Sequence, residues 1–102
     1  MITLDIFFTV PGESAKRTIH VKLDDPVPLK GATWICAVHS SPISFAHVNP
    51  FSVFGEGSWD AAKYAIGFVY SSLRTLELHC GYKFYWPDGE NLDLDALVSA
   101  PK

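Results

Sequence analysis

Residues 58–81 read SWDAAKYAIGFVYSSLRTLELHCG, and this stretch decides the fold. Plotted at about 100° per residue, Trp59, Ala62, Ala65, Ile66, Val69, Tyr70, Leu73 and Leu76 fall on one broad apolar arc, with Lys63, Gly67, Ser71 and Arg74 opposite. Ser58 has the chemistry of an N-cap, and Asp60 sits in the first turn, where the helix dipole favours negative charge. The helix is expected to end near His79, with Gly81 turning the chain out of it. Its length, about 21 residues or ~30 Å, is enough to cross a whole sheet. Trp59, on the arc just inside the cap, is expected in the core.

Working outward, residues 2–10 alternate strictly. Ile2, Leu4, Ile6, Phe8 and Val10 share one face, and Thr3, Asp5, Phe7 and Thr9 the other. Pro11-Gly12-Glu13-Ser14 is a turn. Alternation resumes to Leu23, with Ile19, Val21 and Leu23 inward, so the two runs predict a hairpin. Asp24-Asp25-Pro26-Val27-Pro28 is expected to be a loop that its two prolines keep out of any ladder. Thr33–Val38 is apolar on both faces and reads as a central strand covered on both sides. Residues 43–54 are ambiguous: Ile43–Val48 has strand character, Asn49-Pro50 turns, and Phe51–Phe54 extends or restarts the strand. Tyr82–Trp86 is a last strand, Pro87-Asp88-Gly89 turns out of it, and a short helical turn is expected at Asp95–Val98. Strands, then a helix, then a strand predict one α+β domain spanning 1–102. It would be a mostly antiparallel curved sheet, β-β-β-β-α-β, packed on one long helix.

The first ten residues are expected to be a strand and not a targeting segment. No basic group precedes the apolar run, Asp5 interrupts it, and no convincing cleavage site follows. No stretch approaches the ~18 apolar residues that would span a membrane. With 48% hydrophobic and 19% charged residues in 102, the composition is that of a chain that folds around a core. Two cysteines, Cys36 and Cys80, fit free buried thiols in a reducing, cytoplasmic setting or a single disulfide.

Acidic and basic side chains balance up to Tyr85. The net charge of −3 therefore comes from Asp88, Glu90, Asp93 and Asp95 against Lys102 alone. No cluster of Lys and Arg exists to neutralise phosphates, which disfavours nucleic acid.

The usual chemistries are weakly supported. Cys36 and His39 lie three apart in a strand and point to opposite faces, so they cannot share a metal ion, and no Cys-x-x-Cys or His-x-x-x-His pair exists. A nucleophilic dyad of Cys36 with His47 or His79 would need an electropositive, partly exposed thiol, and an apolar strand offers the reverse. Cys36 is expected to be buried and inert. Gly55-Glu56-Gly57-Ser58 opens a helix, but Glu56 and Asp60 oppose an anion there and no lysine follows. Asp24-Asp25 and the pair Asp93, Asp95 lie in loop and tail, where nothing would raise a carboxyl pKa for acid catalysis. No catalytic residue, metal or cofactor is assigned.

Aromatic residues make up 14% of the chain, more than one core needs. Tyr64 and Phe68 are four apart on the helix and lie about 140–180° around the wheel from Trp59. Either a second layer covers them, from 43–54 or the tail, or they form an exposed patch that docks a partner or a second copy. Tyr85 and Trp86 immediately precede the acidic run. Tyr64, Phe68, Tyr85, Trp86, Asp88, Glu90, Asp93 and Asp95 are therefore the candidate partner-binding residues, suited to a basic protein.

Trp34-x-Cys36, then Gly55-x-x-Ser58-Trp59-x-Ala61-x-x-x-Ala65-Ile66, then Leu73, Gly81 and Trp86 together resemble a family of short bacterial proteins of unknown function. The resemblance covers about half the chain. That family often has Asp where this chain has Gly57, and Gln where it has Asp60. It implies no catalytic residues. Short acidic bacterial proteins of this kind include toxin-neutralising partners. The expectation is therefore a non-enzymatic, cytoplasmic protein-binding domain, in its narrower form an immunity-type antagonist of a toxin. The alternative is a homodimer with a pocket between helix and sheet that binds a small molecule or serves a cryptic enzyme.

Overall fold

The early alternation closes into a hairpin. In the computed structural model, which describes residues 2–94, strands β1 (Ile2–Thr9) and β2 (Arg17–Leu23) pair antiparallel, with Leu4 opposite Val21 and Ile6 opposite Ile19. The inward members Ile6, Phe8, Ile19, Val21 and Leu23 are all buried. Four further strands, β3 (Val27–Lys30), β4 (Thr33–Ser41), β5 (Phe51–Glu56) and β6 (Lys83–Tyr85), complete a six-stranded antiparallel sheet with one helix, α1 (Gly57–Cys80). The protein is α+β, one helix on an open antiparallel sheet.

Register places the strands in space. Thr33–Ile35 pair with β3 and with β5 at once, and Val38 pairs with both Leu23 and Phe51. β3 and β2 therefore lie end to end along one side of β4, with β5 on the other. Reading across, the order is β5, β4, the β3/β2 pair, β1 and β6, with Phe8 opposite Phe84 at the last junction.

The expected loop at 24–28 is in part a strand. Val27 and Pro28 pair with Ile35 and Trp34. β3 is an edge, where an absent proline N–H deprives no neighbour of a bond, so the prolines did not forbid pairing. The ambiguous 43–54 segment resolves into bends over 42–50 and strand β5. Those bends are held at one buried point. The Ser40 N–H donates to Asn49 Oδ1 (3.2 Å), Asn49 Nδ2 to the Ser40 carbonyl (2.7 Å), and the Phe45 N–H to Ser40 Oγ (3.0 Å). That triple use explains a fully buried serine in an apolar interior.

The helix ends as its sequence predicts, with Gly81 left-handed at φ 71 and its N–H on the Leu76 carbonyl. It begins differently. Ser58 is not the cap. The cap position is Glu56, still extended, with no side-chain capping bond, and Gly57 turns strand into helix at φ 86. No loop intervenes, so the free amide of Gly57 is satisfied by the Ala32 carbonyl at 3.0 Å, just before β4. The buried stripe of the helix is Ala61, Ala65, Val69 and Leu73. Trp59 lies about 100° around the wheel from the middle of that stripe and is 73% exposed, which overturns its expected place in the core.

β4 is central, but α1 covers only one of its faces. Cys36 and Val38 are buried beneath the helix, while Ile35 and Ala37 on the other face are half-buried. The stretch 86–94 after β6 is not a loose acidic end. Leu92 and Leu94 are buried in the core with Phe84. The helical turn expected at Asp95–Val98 lies outside the described residues. Among the described residues no helix is long and apolar enough to cross a membrane.

Candidate protein-docking surface

The residues singled out for a partner separate into two groups. Tyr85 and Trp86 end β6, and the chain then doubles back. The Gly89 N–H donates to the Trp86 carbonyl (2.9 Å), the Trp86 N–H to the Glu90 carbonyl (2.8 Å), and the Leu92 N–H to the Phe84 carbonyl (3.0 Å). Asp88 Oδ1 caps this turn by accepting the Glu90 N–H at 2.9 Å. Asp88, Glu90 and Asp93 are exposed around it. Trp86 is half-buried against the core, and the Lys16 ammonium covers the Tyr85 ring at 4.6 Å from its centroid. Asp95 lies outside the described residues.

Tyr64 and Phe68 are elsewhere, on the helix flank above β5, and three strand positions separate β5 from β6. Phe68 is covered by the 43–54 segment. It stacks on Phe51 at 4.5 Å (21°) and meets Phe45 edge-on at 6.4 Å. Tyr64 alone of the pair is open, at 52% exposure. Among the described residues, therefore, Tyr64 and Phe68 stand apart from Tyr85, Trp86 and the turn carboxylates.

The opposite flank of the helix carries a groove whose residues sequence reasoning did not name. Ile66 and Val69 of α1, with Ile2 and Leu4 of β1 and Val21 and Leu23 of β2, line an open groove of about 240 Å³ between helix and sheet. Its lining is wholly aliphatic. Trp59 stands on the same flank as Ile66, one heptad and about 10 Å earlier. Glycine and alanine contained the missing signal. Gly55, Ala61 and Ala65 are the small residues of a close helix-sheet approach, and a tryptophan beside such a contact must stand outboard of it.

The sheet face away from α1 holds two histidine–carboxylate pairs. His20 Nδ1 lies 2.7 Å from Asp5 Oδ1, and His39 Nε2 lies 2.9 Å from Asp24 Oδ2, with Lys22 Nζ 3.7 Å from the other Asp24 oxygen. The hydrogen bond from His39, helped by the charges of His39 and Lys22, holds the Asp24 carboxyl below its usual value against partial desolvation. Asp5, His20 and Ser41 line up across β1, β2 and β4. Among the described residues, however, no hydrogen bond joins Ser41 to His20, and the row lies on the open outer face away from the groove. These are surface pairs of small energetic weight. Among the described residues no group of three or more His, Cys, Asp or Glu converges where it could hold a metal ion.

Cys36 is 1% exposed, and its Sγ donates to the Asp24 carbonyl at 3.3 Å. Burial first, then the Asp24 charge, pushes its thiol pKa up. Both cysteines are free, and Cys80 is exposed, not buried as expected. A thiol reagent at neutral pH should label native protein once, at Cys80, and label Cys36 only after unfolding. Peptide mapping of the labelled protein decides this, and rapid native labelling at Cys36 would contradict the buried site.

Set against protein families, characterised proteins and solved structures, the chain matches none.

Proposed function

We propose that this chain is a non-enzymatic protein-binding domain whose partner seats an apolar segment in the groove beside Trp59. The exposed tryptophan carries the reading. What distinguishes it from the other exposed apolar side chains is its place on the flank of an aliphatic groove, since large aromatics beside apolar pockets are the usual anchors of protein interfaces. The acidic end around Asp88, Glu90 and Asp93 acts at longer range, drawing a basic partner toward the domain and raising the association rate. Occlusion of a basic toxin by an immunity-type antagonist is the narrower form of this proposal. It is supported by the concentration of net charge in one segment and by the resemblance of the helix start to short bacterial proteins.

The groove favours a second reading. Six aliphatic side chains around 240 Å³ also suit a small apolar molecule. One experiment separates the two. Tagged wild type and Trp59→Ala are purified from native lysate, and the eluates are examined by native mass spectrometry. A stoichiometric protein on the wild type, lost from a folded Trp59→Ala, is the expected result. Equal retention by both would remove Trp59 from the interface. A bound apolar compound of low mass, with no protein, would establish the second reading in place of the first.

A further inference from the structure

Among the described residues β3, β5 and β6 each have an outer edge, as does β1 over Ile2–Ile6, where β6 does not reach, and these edges are not treated alike. β3 carries Pro28 and Lys30 with a bulge between them, the devices that keep an edge from pairing. Along β6 the chain folds back, with Asn91 bridging Tyr85. β5 has no such protection. Phe51–Glu56 contains no proline and no lysine, its register with β4 is unbroken, and β4 is its only ladder partner among the described residues.

One hydrogen bond identifies the free backbone atoms. The Gly57 N–H donates to the Ala32 carbonyl, continuing the register that sets Glu56 opposite Thr33. Successive residues of an antiparallel strand direct their N–H and C=O to alternate sides. Gly55, Val53 and Phe51 therefore point theirs at β4, while Ser52, Phe54 and Glu56 point theirs outward. Phe54 is also 54% exposed, and its register with Ile35 puts it on the face away from the helix, in one row with Ile35 and Val27.

We infer that the β5 edge is a self-association site, through which two copies of this chain pair antiparallel about a two-fold axis and join their sheets. The strand is complementary to itself. The axis stands perpendicular to the joined sheet, so helix-side residues must meet helix-side residues. With the axis at Phe54, each Phe54 exchanges its outward backbone bonds with its twin, and the two exposed rings cover each other. Glu56, the only charged residue of β5, then faces a Ser52 hydroxyl, so no carboxylate meets another. The row Val27–Ile35–Phe54 runs on across the junction into the second copy. In the helix layer, exposed Tyr64 lies beside Phe54 and Glu56 at the same edge. This surface is distinct from the Trp59 groove, which is on the other flank of the helix.

The test needs only the purified chain. Sedimentation equilibrium should show a dimer that dissociates on a roughly hundredfold dilution. Amide exchange followed by NMR should slow at Ser52, Phe54 and Glu56 as the dimer forms, and stay constant at Val53 and Gly55. Phe54→Lys, which sets two ammonium groups on the axis, should weaken the dimer at least ~30-fold, as loss of a central anchor does. Ser52→Pro removes an N–H that bonds nothing among the described residues of the monomer and should act likewise without unfolding the sheet. Leu29→Lys, on the β3 edge, should leave the dimer intact. A wild-type chain that stays monomeric, or a dimer that survives both β5 variants, would overturn the proposal. So would concentration-dependent protection that does not alternate along β5.

Discussion

Gly55→Ala should cost the domain ~3 kcal/mol or more, a large fraction of the roughly 5–15 kcal/mol that holds such a chain folded. A Cβ built at Gly55 would stand 2.5 Å from the Ala61 nitrogen, 2.7 Å from the Asp60 carbonyl carbon and 2.9 Å from Ala61 Cα. All three are backbone atoms of the first helical turn, so no flexible side chain can move aside. The turn cannot retreat either, because Gly57 is bonded to the Ala32 carbonyl at 3.0 Å and leaves no loop between β5 and α1 to absorb the shift. Gly67 supplies the control. A Cβ there meets nothing within 4 Å, so Gly67→Ala should stabilise the helix by up to about 1 kcal/mol. The same substitution at two glycines of one chain thus carries opposite signs. Urea unfolding of both variants measures this, and a Gly55→Ala midpoint close to wild type would mean that the helix stands farther from the sheet.

The parts legible in the sequence were those fixed by local period. Ile2–Val10 and Lys16–Leu23 alternate so strictly that their pairing and inward faces followed, and Gly81 marked the helix end through its conformational freedom. The failures have particular causes. The helix has apolar residues on more than half its circumference, so the period located the helix but not the phase of its buried stripe. Averaging large apolar side chains placed Trp59 inward, whereas the steric demand of Gly55 and Ala61 sets the actual phase. Pro26 and Pro28 signal a loop unless the segment is a sheet edge, and edge status is a property of topology. Leu92 and Leu94 were masked by the aspartates around them. For the candidate site, Tyr85, Trp86 and the turn carboxylates are neighbours in sequence and therefore in space. The distance from them to Tyr64 required the strand order, which no local pattern encodes. The groove takes its lining residues from three elements, and for the same reason no local pattern names them.

Phe8→Ala should cost ~3–5 kcal/mol, and Trp59→Ala less than ~0.5 kcal/mol, although both remove a large aromatic. Phe8 is 2% exposed, stacks on Tyr82 at 5.1 Å, and faces Phe84 across the β1–β6 junction at 6.5 Å. Its removal leaves a void bounded by two strands that the sheet ladder holds in place, so the site cannot collapse to fill it. Trp59 leaves only solvent behind. The pair of measurements reads the rotation of the helix directly. Were α1 turned by about 100° about its axis to bring Trp59 under the sheet, Ala61 and Ala65 would leave the core and the aliphatic groove would be filled. Trp59→Ala would then be as damaging as Phe8→Ala. Denaturation midpoints of the two variants, compared on one scale, distinguish these geometries. The small expected cost at Trp59 is also what makes that variant a fair probe of binding, since a folded domain that loses its partner has lost an anchor and nothing else.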